Sequence, residues 1–136
     1  MDIDAFERLL PEVTDVNRGY WDGLAARELR LQKCAHDGAV RFPASPVCPG
    51  CLSPDSAWTA MSGRATLWSW IVMHQRYFDA FADERPYLVA FVRLAEGPFM
   101  VSTVVADPAA LRVDLPLELE FREIGDHLVP CFRPAR

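Results

Sequence analysis

Two cysteines separated by two residues, Cys48 and Cys51, sit in a stretch that cannot hold itself together by burial. From Leu29 to Leu52 apolar residues are sparse, and Pro43, Pro46, Pro49 and Pro54 crowd the second half of the segment and its exit. A segment with so little to bury needs a staple. Cys48-Pro-Gly-Cys51 has the spacing with which one tight turn presents two thiolates to a single Zn²⁺, and Cys34 lies 14 residues earlier. A zinc ribbon calls for a fourth ligand three residues after Cys34. Asp37 occupies that place and is followed by Gly38, a common knuckle residue; His36 is the near alternative, one residue out of position. Three readings are open: zinc held by Cys34, Cys48 and Cys51 with Asp37 or His36, a relic ribbon without metal, or a redox Cys48/Cys51 pair. The redox reading wants a helix N-terminus to stabilise the thiolate, and Leu52-Ser53-Pro54 does not continue as a helix. Four protein ligands leave no open position for water, so such a site is structural. Cys131, inside the apolar run Leu128 to Phe132, is expected to be a small buried hydrophobe.

A chain of 136 residues, 51% of them hydrophobic, has room for one core with a small appendage. Its net charge of -5 argues against nucleic-acid binding driven by phosphate contacts, which needs a concentrated basic surface. No apolar run approaches the roughly 20 residues that span a bilayer, so no membrane partner is expected. The acidic start, MDIDAFERLLPEV, lacks the basic and apolar parts of a signal peptide, and a cytoplasmic location is expected. In that compartment a clustered cysteine pair favours metal over disulfide.

Residues 1–28 read as two short helices. Ile3, Phe6, Leu9, Leu10 and Val13 recur at helical spacing, and Asn17 is placed to cap a second helix bearing Tyr20 and Trp21. Helices this short cannot form a core alone and must pack on the rest of the chain or on a partner. Residues 29–56 form the ribbon, where Leu29 and Leu31 alternate with Arg30 and Gln32 on a strand leading to Cys34. Residues 57–136 read as strands. Trp68, Trp70, Val72 and His74 are expected on one side of a long strand, with Leu67, Ser69, Ile71 and Met73 on the other. Tyr87–Leu94 and Pro98–Val105 flank Glu96-Gly97 as a hairpin, and Leu117, Leu119 and Phe121 alternate with charged residues before a last strand over His127–Phe132. Five strands with short turns predict a small closed barrel.

The order of features resembles a known family of acyl-CoA-associated proteins, long catalogued as a domain of unknown function, that join a rubredoxin-like zinc ribbon to an OB-fold. The matching segments are Tyr20-Trp21-x-Gly23-Leu24, Leu29-x-Leu31-Gln32-x-Cys34, Arg41-Phe42-Pro43, Pro46-Val47-Cys48-Pro49-x-Cys51, Ser62-Gly63-Arg64-Ala65-Thr66-Leu67-x-Ser69 and His74. The departure is Asp37, where the family commonly has its second ribbon cysteine. The resemblance implies a mainly β protein with N-terminal helices, a ribbon and a five-stranded OB barrel. It also implies a non-catalytic subunit in a hetero-oligomer with a thiolase, an acyltransferase or a sterol-carrier-type aldol lyase, with acyl-CoA at or near the complex. A MaoC-type hydratase is the alternative partner.

Two rival functions are open to the residues. An independent enzyme would draw on His74, Asp79, Asp83 and Glu84, beside a loop and without a nucleophile at a recognisable elbow. An OB-type nucleic-acid module would stack bases on Trp68, Trp70 and Tyr77, against the acidic balance. For partner binding the expected anchors are Tyr20 and Trp21, on a helix with few neighbours in sequence, and Tyr77, Phe78 and Phe81, on the ten-residue connection Arg76 to Arg85.

Overall fold

β4 (Arg64–Met73) is the strand around which the larger sheet is built. In the computed structural model, which describes residues 1–136, it pairs antiparallel with β5 (Tyr87–Leu94) on one side and β7 (Pro116–Ile124) on the other. β6 (Phe99–Ser102) extends the sheet beyond β5, and β8 (His127–Pro134) extends it beyond β7. The two outer edges then meet. Val104, just past β6, bridges in parallel to Phe132 of β8, with Val105 N–H donating to the Phe132 carbonyl at 2.8 Å and Phe132 N–H to that of Thr103 at 3.0 Å. This curled five-stranded sheet is the expected OB-type unit. Its interior holds Leu67, Val92, Leu94, Leu117 and Phe132, all essentially inaccessible to water.

The hairpins follow from local sequence. β5 and β6 turn through Ala95 to Pro98, with Arg93 opposite Phe99, while β7 and β8 join at Gly125-Asp126 with Ile124 opposite His127. Gly125 takes φ +59°, the left-handed value a two-residue hairpin asks of glycine at its first position.

A second sheet of three strands precedes it. β1 (Arg30–Cys34) lies between β2 (Val40–Arg41) and β3 (Ser56–Ala60). Leu29 and Leu31 from the start of this sheet are buried in the same core as the barrel residues, so the ribbon is anchored there at its base and not at its tip.

The N-terminal segment holds α1 (Ile3–Glu7) and α2 (Arg18–Ala25). Both pack on this chain. Ala5 and Phe6 join Ala80 and Ile124 in a small second core, and Leu24 of α2 is buried as well. Asn17 does not cap α2 with its side chain. Its Oδ1 instead accepts from Thr14 N–H at 2.7 Å and its Nδ2 donates to the Glu12 carbonyl at 3.0 Å, so it ties the interhelical loop.

The expected two-sided reading of β4 fails in the middle of the strand. Ala65 and Leu67 point inward, but a β-bulge between Leu67 and Ser69 adds a residue, after which Trp70 and Val72 are the inward-packed ones. Trp68 is the extra residue and faces out. It therefore does not share a face with Trp70, because one inserted residue reverses every facing that follows.

Candidate metal centre and partner-facing residues

The ribbon tip is built from two turns. Cys34 ends β1, and the chain reverses through Gly38 at φ +76°, a value open to glycine at low cost. Gly38 N–H donates to the Cys34 carbonyl at 3.0 Å, and His36 N–H points at the Cys34 sulfur, 3.4 Å away. The second turn closes when Leu52 N–H donates to the Cys48 carbonyl at 2.8 Å and Cys48 N–H to that of Ser53 at 2.9 Å.

These turns bring four donors together. The ligand atoms of Cys34, Asp37, Cys48 and Cys51 lie within 4.8 Å of one another, and the His36 side chain is not among them. Cys34 Sγ is 3.6 Å from Cys51 Sγ, and Cys48 Sγ is 3.5 Å from Asp37 Oδ2. All four cysteines are free thiols, and the 3.6 Å separation is far beyond the roughly 2 Å of a disulfide. A tetrahedral ion with zinc's bond lengths, about 2.3 Å to sulfur and about 2.0 Å to oxygen, sets its ligand atoms about 3.8 Å (S···S) and 3.5 Å (S···O) apart. The Cys34–Cys51 and Cys48–Asp37 edges lie close to these values, within a set that spreads to 4.8 Å. Cys34 and Cys48 are buried, Cys51 is half-buried and Asp37 is exposed, which places the carboxylate on the solvent side of a metal-binding site.

The electrostatics suit a cation. The N–H of Ala39 donates to Asp37 Oδ1 at 2.9 Å and, with the neighbouring thiols, holds that carboxyl down at about 2, so it is ionised at neutral pH. The N–H groups of Cys51 and Gly50 lower the Cys48 thiol. Cys51 is also helped by a backbone N–H, from Ser53, but desolvation, the thiols of Cys34 and Cys48 and the Asp37 charge outweigh it and push Cys51 up to about 11. A divalent ion is what would let these crowded groups ionise together.

Below the tip the ribbon holds itself together with polar contacts. Gln32 Oε1 accepts from Arg41 Nε at 3.1 Å and from Ser45 N–H at 2.9 Å, while Gln32 Nε2 and Arg41 Nη2 both donate to the Ser45 carbonyl. Gln32 and Arg41 are the only buried polar or charged residues of the chain. This network braces the proline-rich loop that leads to Cys48. Gln32 and Arg41 face each other on adjacent strands, a pairing that only the register of β1 with β2 reveals.

The five aromatic candidates separate. Tyr20 lies against Trp21 at 5.2 Å and Phe42 at 5.7 Å between ring centroids, and burial pushes its hydroxyl up to about 12. Phe81 packs on Tyr87 and on the small second core. Tyr77 and Phe78 stand exposed on the connection between β4 and β5, ahead of a short 3-10 helix at Asp79–Glu84. Trp21 is half-buried with its Nε1 unpaired, at the edge of an apolar groove lined by Phe6, Leu10, Val13 and Val129.

Of the residues named for an independent enzyme, Asp79, Asp83 and Glu84 share one short 3-10 helix and His74 directly follows β4. Asp79 pairs with Arg76 at 2.7 Å, Glu84 pairs with Arg122 at 2.5 Å, and His74 and Asp83 are exposed. Cys131 is buried in β8 as expected, and burial, followed by the charge of Glu120, raises its thiol. No helix is long and apolar enough to cross a membrane.

Comparison with known proteins adds the following. Residues 21–56 match the rubredoxin-like zinc ribbon domain of ChsH2, and residues 58–122 match the C-terminal OB-fold domain of ChsH2. A DUF35 domain-containing scaffold protein of Methanothermobacter thermautotrophicus is 33% identical over 69% of this chain and 71% of its own. A probable enoyl-CoA hydratase alpha subunit of Thermomonospora curvata is 34% identical over 92% of this chain, and a 3-oxo-4,17-pregnadiene-20-carboxyl-CoA hydratase alpha subunit of Mycobacterium tuberculosis is 29% identical over 98%. The chain spans 39% and 42% of the length of those two hydratase subunits. Among solved structures, a chain of an Ltp2-ChsH2(DUF35) aldolase superposes with a TM-score of 0.84 at 32% identity, covering 93% of this chain and 100% of that one.

Proposed function

The chain belongs to the DUF35 family, in the ChsH2 form that joins a zinc ribbon to an OB-fold, and on that footing we propose that it is a non-catalytic subunit supporting a thiolase-superfamily enzyme that makes or cleaves C–C bonds in acyl-CoA thioesters. The observation that carries this reading is the superposition on the Ltp2-ChsH2(DUF35) aldolase chain, which extends over all of that chain.

Zinc is the metal proposed for the ribbon. Cys34, Cys48, Cys51 and Asp37 would hold it, and with four protein ligands it would act as a structural clamp on a ribbon tip that has little apolar burial of its own. Within the chain, Cys34 and Cys48 anchor the buried side of that clamp and Asp37 closes it toward solvent.

Partner contact is proposed for Tyr77 and Phe78, the two aromatics of the β4–β5 connection left in water, and for the open edge of Trp21. Tyr20 and Phe81, already committed to contacts inside the chain, would shape that surface from behind. A second reading is favoured by the two hydratase alpha subunits: a partner of the MaoC-type hydratase class. The test is co-expression with a thiolase-superfamily protein and, separately, with a MaoC-type hydratase from the same source. A stable complex in which the thiolase-type enzyme gains acyl-CoA activity, with no turnover by this chain alone, is expected. Complex formation with the hydratase only would favour the second reading, and turnover by the isolated chain would overturn both.

A further inference from the structure

Trp68 is turned outward by the bulge in β4, and it lands among other rings. Its indole meets the Phe99 ring edge-on at 5.1 Å, and Phe99 stacks on Phe91 at 4.8 Å with only 12° between their planes. The guanidinium of Arg93 lies over Phe99, 5.6 Å from the ring centre. On the same outer side of the sheet, Ile71 and Val101 are 54% and 68% exposed, Trp68 is 48% exposed and Phe91 37%. A face made of three touching rings and two aliphatic side chains is costly to leave in water, and bulges serve to re-aim side chains.

The charge of this face is as unusual as its apolarity. The chain carries 19 acidic residues and a net charge of -5, yet β4, β5 and β6 contain no Asp or Glu. Their two basic residues, Arg64 and Arg93, have no carboxylate partner within the chain. Glu118, opposite Arg64 on β7, pairs with Arg133 at 2.8 Å, and Glu96 in the β5–β6 turn accepts from Ser62 N–H at 2.9 Å through Oε2 while its Oε1 is buried without a partner.

We infer that the outer face of β4, β5 and β6, centred on Trp68, Phe91 and Phe99, is a docking surface for the partner enzyme, and that it fits an apolar protein patch bordered by Asp or Glu side chains that reach Arg93 and Arg64. This rests on the reading of the chain as a partner subunit and assigns that role a surface separate from Tyr77 and Phe78. A protein fits better than a nucleic acid. Ile71 and Val101 offer no plane for a base, and two arginines on an acidic chain make a poor phosphate track.

The experiment is a binding titration of the full-length, metal-loaded chain against a thiolase-superfamily protein from the same source, comparing wild type with Trp68→Ser, Val101→Ser and Arg93→Glu. Thermal melting and metal content are to be checked for each variant. Trp68→Ser and Val101→Ser are expected to weaken binding about tenfold or more, as central anchors do. Arg93→Glu is expected to weaken it by a similar factor and to flatten its salt dependence. If folded Trp68→Ser and Val101→Ser bind as wild type does, the docking face is refuted while the subunit reading stands. If the wild-type chain binds no thiolase-type protein, the subunit reading fails and this surface with it. Self-association or single-stranded DNA binding that is lost in Trp68→Ser would give the face to a second copy or to nucleic acid and overturn the inference.

Discussion

Replacing Asp37 by Cys and, in parallel, by Ala separates two things this residue does. Its Oδ2 stands 3.5 Å from Cys48 Sγ, the spacing of an oxygen and a sulfur on one tetrahedral ion, and its Oδ1 accepts the Ala39 N–H at 2.9 Å. Asp37→Cys exchanges a hard oxygen ligand for a thiolate at nearly the same reach, since the shorter side chain is offset by a metal bond about 0.3 Å longer. Zinc should then bind more tightly by a factor of about ten or more, or about 1.4 kcal/mol and upward. The lost hydrogen bond to Ala39 should lower the stability of the metal-free form slightly, because this carboxyl is solvent-exposed. Asp37→Ala loses both contributions. The ordering expected in a competition titration against a chromogenic chelator is therefore Cys above Asp above Ala. In metal-free thermal melts both variants should fall slightly below wild type. Cobalt substitution adds an independent count, because sulfur-to-metal charge-transfer absorption should rise from three thiolates to four in Asp37→Cys. Equal zinc affinity in wild type and Asp37→Ala would refute Asp37 as a ligand, however the melts behave.

Four other outcomes can be checked. Tyr20 titrates at about 12 in the folded chain against about 10 unfolded, so its contribution is intact below pH 10 and is lost as pH rises toward 12. Two pKa units set a ceiling of about 3 kcal/mol, and Tyr20→Phe should remove that part of the alkaline decline in melting temperature. A Cβ on Gly19 would overlap the Trp58 ring, so Gly19→Ala should push α2 off β3 and cost about 1–3 kcal/mol in denaturant unfolding. Leu67 is wholly inaccessible at the centre of the barrel, and Leu67→Ala should cost about 2–5 kcal/mol in the same measurement. Phe78→Ala should leave the melting temperature within about a degree or two and weaken partner binding by about 1–3 kcal/mol; unchanged affinity would remove the loop from the interface.

The metal centre and the hairpins were legible in the amino-acid order because each is a short-range construction. Cys34 and Asp37 share one turn, Cys48 and Cys51 another, and the strand pairing across Glu96-Gly97 needs no information from elsewhere. The spacing left both Asp37 and His36 open as the fourth donor, and it is the folded turn that brings the Asp37 carboxylate, and not the His36 side chain, into the cluster. What the order of residues could not settle is which way a side chain faces when non-local packing decides. Period-two alternation put Trp68 and Trp70 on one face, and only the pairing of β4 with β5 reveals the bulge that sends them to opposite sides. Tyr20 looked stranded on a short helix until Phe42, from the ribbon, came to lie against it, and Phe81 looked free until α1 and the 3-10 helix met over Ile124. Those partners are tens of residues away in the chain. Their contacts form only when burying apolar surface outweighs the entropy of closing the loops between them, a balance struck by the whole fold and not by any one segment of it.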